Sequence, residues 1–103
     1  MESKYQRKLK TKAESLGWLV IKIIRATVNG YPDLMLLHPN RPTIFIEVKN
    51  TGGKLSPVQE YRIKELNELG FIALVSCPED YAQTVAYLER LQISRHAYNR
   101  TKE

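Results

Sequence analysis

The segment TIFIEVKN, residues 43–50, most constrains how this chain can fold. Ile44, Phe45 and Ile46 are apolar in succession, which is typical of an interior strand covered on both faces. Glu47 and Lys49 follow, and side chains two residues apart on a strand point to the same face. Because charged groups rarely occupy a covered face without a partner, this acid–base pair is a candidate functional element.

The remaining sequence predicts seven elements in the order α-β-β-β-α-β-α. Helical patterns cover residues 2–16 and 57–69, each followed by glycine, and Pro78 begins a third helix. Strands are predicted at residues 18–25, 33–37, 43–50 and 71–75. The first three strands can form a meander and the second helix a crossover, which predicts an α/β fold with a mixed central sheet flanked by helices.

Length and composition predict a single intracellular domain. We expect the domain to cover residues 1–93 of the 103, followed by a polar, basic tail at 94–103. The charged N-terminus lacks the apolar centre of a signal peptide, and the single cysteine excludes an internal disulfide, so a cytoplasmic location is predicted. The net charge of +5 is compatible with a polyanionic partner such as nucleic acid, although a solvated basic face is an equally ordinary explanation.

Two carboxylates are expected to meet at one end of the sheet. Counting outward from the turn HPNRP, residues 38–42, Asp33 and Glu47 each lie four residues from the ends of their strands at Leu37 and Thr43. Paired carboxylates repel unless a cation lies between them, and Mg²⁺ or Mn²⁺ suits such oxygen ligands. Lys49 beside them would orient or deprotonate the attacking water and offset phosphate charge. Each feature alone has a simpler explanation, since E-x-K pairs usually lie on solvated faces and an Asp after Pro is usually a turn residue.

The sequence also resembles a known nuclease family. PDLML, residues 32–36, followed by IFIEVKN, residues 44–50, resembles the PD-(D/E)xK nuclease signature. NGYPDL, FIEVK and TGGKLSPVQ, residues 51–59, are similar to the virus-type replication-repair nuclease branch, VRR-NUC. The resemblance covers residues 2 to about 76 and implies a restriction-endonuclease-like core.

The resemblance implies roles for particular residues. Asp33 and Glu47 would be metal ligands, with the backbone carbonyl of Val48 as a further ligand, and Lys49 would be the catalytic lysine. Gln59 would be an additional polar residue supplied by the second helix. Helical spacing also directs Gln59 inward, where a buried amide satisfying backbone groups is nearly as good an interpretation.

The family also places an acid on the first helix, and two candidates exist. We favour Glu2 because it continues the apolar stripe of Tyr5 and Leu9, and it could equally be a partner of the helix dipole. Glu14 lies on another face, where it can pair with Lys10. Weaker candidates for contact with DNA are Lys54, Arg25 and Ser56. The two histidines, His38 and His96, lack metal-ligand spacing and are expected at the surface.

The function expected from this resemblance is a divalent-metal-dependent, structure-selective DNA endonuclease that leaves a 5′ phosphate and a 3′ hydroxyl. We expect a homodimer that cuts branched DNA, foremost four-way junctions, with Tyr87 and Tyr98 as possible interface residues. The alternatives are a sequence- or mismatch-directed endonuclease on the same fold and a non-catalytic nucleic-acid-binding module. Two acids facing phosphates argue against the last, because a pure binding surface gains nothing from them.

Overall fold

A computed structural model of the chain describes residues 2–92, with side chains as far as Arg90. The elements are α1 Lys4–Ser15, β1 Leu19–Lys22, β2 Leu34–Leu37, β3 Ile44–Val48, α2 Pro57–Glu68, β4 Ile72–Ser76, a 3₁₀ turn Pro78–Asp80 and α3 Tyr81–Gln92. The predicted order α-β-β-β-α-β-α is therefore confirmed. The expected basic tail at residues 94–103 lies outside the described residues, as do His96 and Tyr98.

The four strands form one mixed sheet in the order β1-β2-β3-β4. The first three strands are antiparallel, and α2 is the crossover that makes β4 parallel to β3. In the β2–β3 ladder Leu34 pairs with Ile46 and Leu36 with Ile44, which is the register expected from counting outward from the 38–42 turn. Continuing this register by one residue places Asp33 opposite Glu47.

The first strand is shorter than the sequence predicts. It was expected over residues 18–25, whereas β1 spans Leu19–Lys22, with one further hydrogen bond from the Ile23 N–H to the Asp33 carbonyl at 2.7 Å. The residue before Asp33 is Pro32, which has no N–H to donate to a ladder, so the pairing with β1 stops there. Ile24 and Arg25 consequently leave the sheet and are exposed. The third helix was expected to begin at Pro78, where a 3₁₀ turn begins instead, and α3 itself starts three residues later at Tyr81. The other predicted ends move by no more than two residues.

The main core lies on the face of the sheet that α1 and α3 cover. Its buried side chains come from these two helices and from alternate positions of β1, β2 and β3: Tyr5, Leu9, Ala13, Trp18, Val20, Leu34, Leu36, Ile44, Ile46 and Leu88. A buried hydroxyl chain joins Tyr5, Ser76 and Thr84 at 2.7 Å per step, which links α1, β4 and α3 without leaving polar atoms unpaired.

Helix α2 lies on the opposite face and packs against β4. The Asn67 amide donates to the Ala73 carbonyl at 3.0 Å and accepts from the Ala73 N–H at 2.9 Å. Because β4 is an edge strand, this side chain occupies backbone groups that would otherwise be open to another strand. Helix α2 thus protects the edge and also approaches the end of β3, where Glu47 lies.

One surface assignment was wrong. His38 is 7% exposed, and its ring packs edge-on against Trp18 with the ring centroids 5.1 Å apart. The residue lies in the turn after β2, and Trp18, directly before β1, covers it, a contact that local sequence does not reveal. Within residues 2–92, no helix is both long and apolar enough to span a bilayer.

Candidate active site

Asp33 is fixed by backbone on both sides. It directly precedes β2, its carbonyl accepts from the Ile23 N–H, and its carboxylate Oδ2 accepts from the Val48 N–H at 2.9 Å. The acid therefore bridges the ends of β2 and β3. The sequence placed Asp33 at this end of the sheet, and the structure confirms the placement.

The loop that delivers Asp33 is held against α2. The Arg62 guanidinium donates through Nε to the Asn29 carbonyl at 2.9 Å, and its central carbon lies 5.8 Å from the Tyr31 ring centroid. Gly30 has a φ of +87°, and a Cβ built there would lie 2.9 Å from both Cγ2 and the carbonyl oxygen of Val58. Only glycine permits this conformation and this approach together. The loop of residues 23–33 is thereby docked on the first turns of α2.

Glu47 is a buried carboxylate with a defined set of partners. It is 3% exposed, and its Oε2 accepts from Gln59 Nε2 at 3.1 Å and faces Lys49 Nζ at 3.5 Å. Its other oxygen, Oε1, is buried and has no hydrogen-bond partner within the described residues. Burial, together with the nearby charge of Asp33, raises the pKa of Glu47 to about 7 despite the opposing effect of Lys49.

Gln59 connects the start of α2 to the acid pair. Ser56 is the N-cap of α2, and Gln59 completes a capping box, since its N–H donates to Ser56 Oγ at 3.2 Å and its Oε1 accepts from the Ser56 N–H at 2.9 Å. The same amide donates through Nε2 to Glu47. The inward direction predicted for Gln59 is confirmed, and the amide is held at both ends.

The two carboxylates line an open depression of about 330 Å³ between the N-terminus of α1 and the end of β3. Besides Asp33, Glu47, Val48 and Lys49, Gln6 of α1 lines it, together with Ser3 and Asn50. Gln6 is 7% exposed, and its Oε1 is buried with no hydrogen-bond partner in the described part of the chain. Gln6 was not among the site residues predicted from the sequence. The sequence feature that could have identified Gln6 is a polar residue next to the buried apolar positions of α1.

Neither first-helix acid lines the depression. The Glu2 carboxylate lies 3.3 Å from Arg7 Nε, with a quarter of the side chain exposed. Glu14 pairs with Lys10 at 3.0 Å, as expected from the spacing of four residues. The α1 residue that the structure brings to the carboxylates is therefore Gln6.

The weaker candidates for DNA contact are dispersed. Lys54 is exposed in the loop after β3, and Arg25 is exposed in the loop after β1. Ser56 is exposed, with its hydroxyl used to cap α2. None of the three lines the depression that holds Asp33 and Glu47.

The donor set consists of oxygen atoms. Within residues 2–92 no group of three or more Asp, Glu, His or Cys side chains is assembled, so an ion would rely on the pair Asp33 and Glu47. Hard divalent cations also accept amide and backbone carbonyls and keep several waters. The unpaired Oε1 atoms of Glu47 and Gln6, and the position of Val48 on the wall, fit such an ion.

Comparisons with known proteins agree with this geometry. The family model described as the VRR-NUC domain matches residues 4–76. A solved structure described as a VRR-NUC domain has a TM-score of 0.69 and 26% sequence identity, over 79% of this chain and 89% of that one. A second, described as a VRR-NUC domain protein, shares the fold with a TM-score of 0.57 and 21% identity, over 79% and 84% of the two chains. No curated protein matches significantly. The family match spans both carboxylates, Lys49 and Gln59, and the chain therefore belongs to the VRR-NUC family of nucleases.

Proposed function

We propose that this chain is a divalent-metal-dependent DNA endonuclease that acts as a homodimer on branched DNA, foremost four-way junctions. The observation that carries the catalytic part is the convergence of Asp33, Glu47 and Lys49 in one open depression. Glu47 is held there although it is almost fully buried, an arrangement that is costly for an isolated acid. Such a cost is typical of a site selected for chemistry rather than for stability.

Asp33, Glu47 and the Val48 carbonyl would hold a Mg²⁺ or Mn²⁺ ion, with Gln6 as a further oxygen donor. A cation between the acids relieves their mutual repulsion and supplies the partner that Glu47 Oε1 lacks. When bound, the ion would polarise the scissile phosphate and make a water molecule more acidic.

The chain's own residues supply the rest of the proposed reaction. Lys49 lies 3.5 Å from Glu47 and is partly exposed to the depression. As an ammonium group it would orient the attacking water and offset charge on the phosphate, or, in its neutral form, it would accept the proton of that water. Gln59 holds the Glu47 carboxylate in place through Nε2. In-line attack at phosphorus with departure of the 3′ oxygen would leave a 5′ phosphate and a 3′ hydroxyl.

An exposed apolar surface supports the homodimer. On the α2 side of the sheet, Leu19 is 59% exposed, Ile21 37% and Phe71 42%, and we call these three residues the open sheet face. Leu19 and Ile21 lie on the edge strand β1, and Phe71 directly precedes β4 at the other edge of the sheet. Exposed apolar side chains on one face of a sheet support an interaction surface. Tyr87, the interface candidate from the sequence, packs partly against the core instead. A two-fold dimer offers two sites for two symmetric nicks, and doubles the formal charge from +5 to +10.

A cleavage panel tests this proposal. The protein is incubated with four DNA substrates in Mg²⁺, Mn²⁺ or Ca²⁺: duplex, flap, splayed-arm and four-way-junction DNA. Each substrate is labelled on every strand in turn. We expect junction DNA to be cut fastest, with Mg²⁺ or Mn²⁺, and we expect Ca²⁺ to support binding with little turnover because it is larger and polarises water less. Full activity in excess EDTA would contradict the metal mechanism. A preference for plain duplex would favour a sequence- or mismatch-directed enzyme.

A further inference from the structure

A continuous groove leads away from the candidate site along α1. The depression that holds the carboxylates shares Ser3 and Asn50 with a second depression. The second shares Lys4 and Lys8 with a third, which extends to Lys12 near the C-terminal end of α1. The three depressions therefore form one path from the acid pair along the exposed side of the helix. We call the part beyond the acid pair the α1 groove.

The α1 groove is basic along its whole length. Lys4, Lys8 and Lys12 line it at intervals of four residues, which correspond to a rise of about 6 Å between successive side chains on one helix face. Arg7 lies among them, and neither an aspartate nor a glutamate is among the residues that line the two depressions of the α1 groove.

The three lysines lack internal counter-charges. Within residues 2–92, none of them forms an ion pair, whereas Lys10 on another face pairs with Glu14 and Arg7 pairs with Glu2. Lys8 Nζ instead lies 4.2 Å above the Tyr81 ring, which fixes it over the floor of the groove. Like charges one helical turn apart repel one another, and that repulsion is relieved when a regular polyanion lies along them.

We propose that the α1 groove binds the sugar-phosphate backbone of the DNA strand that passes through the carboxylate site, on one side of the phosphate that is cut. The inference rests on the proposed nuclease function. Beyond that function, the groove defines where the DNA strand leaves the carboxylate site and which residues hold the strand there. A regular row of unpaired charges contacts phosphates and reads no base edges, so the groove contributes affinity and register without sequence preference. Such a contribution suits an enzyme that selects DNA by its shape.

The test compares two double variants that lower the net charge equally, from +5 to +3. Lys8→Gln/Lys12→Gln changes the groove, and Lys22→Gln/Lys64→Gln removes two exposed lysines elsewhere. Binding of a short labelled duplex is measured by fluorescence anisotropy in Ca²⁺ over a range of salt concentrations. Each phosphate contact contributes about 0.9 to the slope of log K against log salt, so the groove variant should lose about 2 from that slope. The control should lose little.

A kinetic arm separates this inference from the function on which it rests. In Mg²⁺, the groove variant should raise KM about tenfold or more and leave kcat near the wild-type value, because it removes binding remote from the reacting atoms. If the wild type binds and cuts DNA but the two double variants behave alike, the groove assignment is overturned and the nuclease proposal stands. If the wild type neither binds nor cuts DNA, both are overturned. Circular dichroism confirms that each variant is folded.

Discussion

At the scale of single residues, Glu47 carries the clearest conflict between stability and function. Its carboxylate is 3% exposed, has one oxygen with no hydrogen-bond partner among residues 2–92, and faces the charge of Asp33. Lys49 and Gln59 only partly compensate, so the pKa of Glu47 is raised to about 7. The ionised side chain therefore destabilises the metal-free protein, and a bound cation would remove that penalty.

The first prediction follows from the sign of this shift. The folded protein retains the Glu47 proton up to its raised pKa of about 7, whereas the unfolded chain loses it near the ordinary pKa of 4.5. The free energy of unfolding therefore falls as the pH rises through that window. Glu47→Gln removes the charge. In EDTA at pH 8 we expect the variant to be more stable than wild type, by roughly 3 kcal/mol. At pH 5, where Glu47 is neutral, the difference should largely vanish.

Urea denaturation at the two pH values measures this difference. Glu14→Gln is the matched control, because Glu14 is exposed and paired only with Lys10, and its effect should be small at both pH values. A Glu47→Gln variant that is destabilised equally at pH 5 and pH 8 would show that the burial of this carboxylate has no electrostatic cost.

At the scale of elements, α2 organises the site from two sides. Its capping-box residue Gln59 holds Glu47, and one turn further Arg62 binds the loop that ends in Asp33. Gly30 makes the approach of that loop possible, because it has a φ of +87° and lies against Val58. The two acids are therefore positioned by one helix.

The second prediction tests this docking. Gly30→Ala introduces a Cβ 2.9 Å from two Val58 atoms, whereas Gly52, with a similar φ of +78°, has no atom within 4 Å of the corresponding position. Both substitutions carry the strain of a positive φ, but only Gly30→Ala also overpacks the loop against α2. Urea denaturation should show that Gly30→Ala lowers the free energy of unfolding by about 1–3 kcal/mol more than Gly52→Ala does. Equal losses would mean that the loop does not depend on this contact.

The elements also show what the sequence could and could not reveal. Asp33 and Glu47 could be paired by counting because the turn between β2 and β3 fixes the register of an antiparallel ladder. Gln59 could be found because its helix has a clear start at Ser56 and Pro57. Three features could not be predicted from the sequence, because each depends on a neighbour distant in sequence: the place of Gln6 in the site, the burial of His38 and the early end of β1. Glu2, the acid that the sequence analysis favours on the first helix, has its carboxylate 3.3 Å from Arg7 Nε, a contact that helical spacing did not indicate.

At the scale of the whole molecule, charge and apolar surface are segregated. The α1 groove is basic and opens from the carboxylate depression, while the open sheet face of Leu19, Ile21 and Phe71 lies on the α2 side of the sheet. A dimer formed through the open sheet face would leave both α1 grooves available to DNA. This division suits an enzyme that contacts two strands of a symmetric junction.

The third prediction concerns that dimer. Leu19→Glu places a charge on the open sheet face, and Ile24→Glu places the same charge on an isoleucine that is 86% exposed in the loop after β1. Light scattering should give wild type and Ile24→Glu a mass near twice 11.9 kDa, and Leu19→Glu a mass near 11.9 kDa. The wild type should also cut a junction by paired nicks on opposing strands. A wild-type monomer at micromolar concentration, or a Leu19→Glu dimer, would contradict the assignment.

We propose that Asp33, Glu47 and Lys49 form one hydrolytic centre. The initial rate of four-way-junction cleavage in Mg²⁺, measured for wild type, Asp33→Asn and Lys49→Ala, tests this most directly. Lys64→Ala, an exposed lysine of α2, is the control. We expect Asp33→Asn and Lys49→Ala each to lose about 100-fold or more in rate while staying folded, since each removes a group that acts on the reacting atoms. Lys64→Ala should cut at the wild-type rate. Wild-type rates for both site variants would show that these residues do not form the hydrolytic centre.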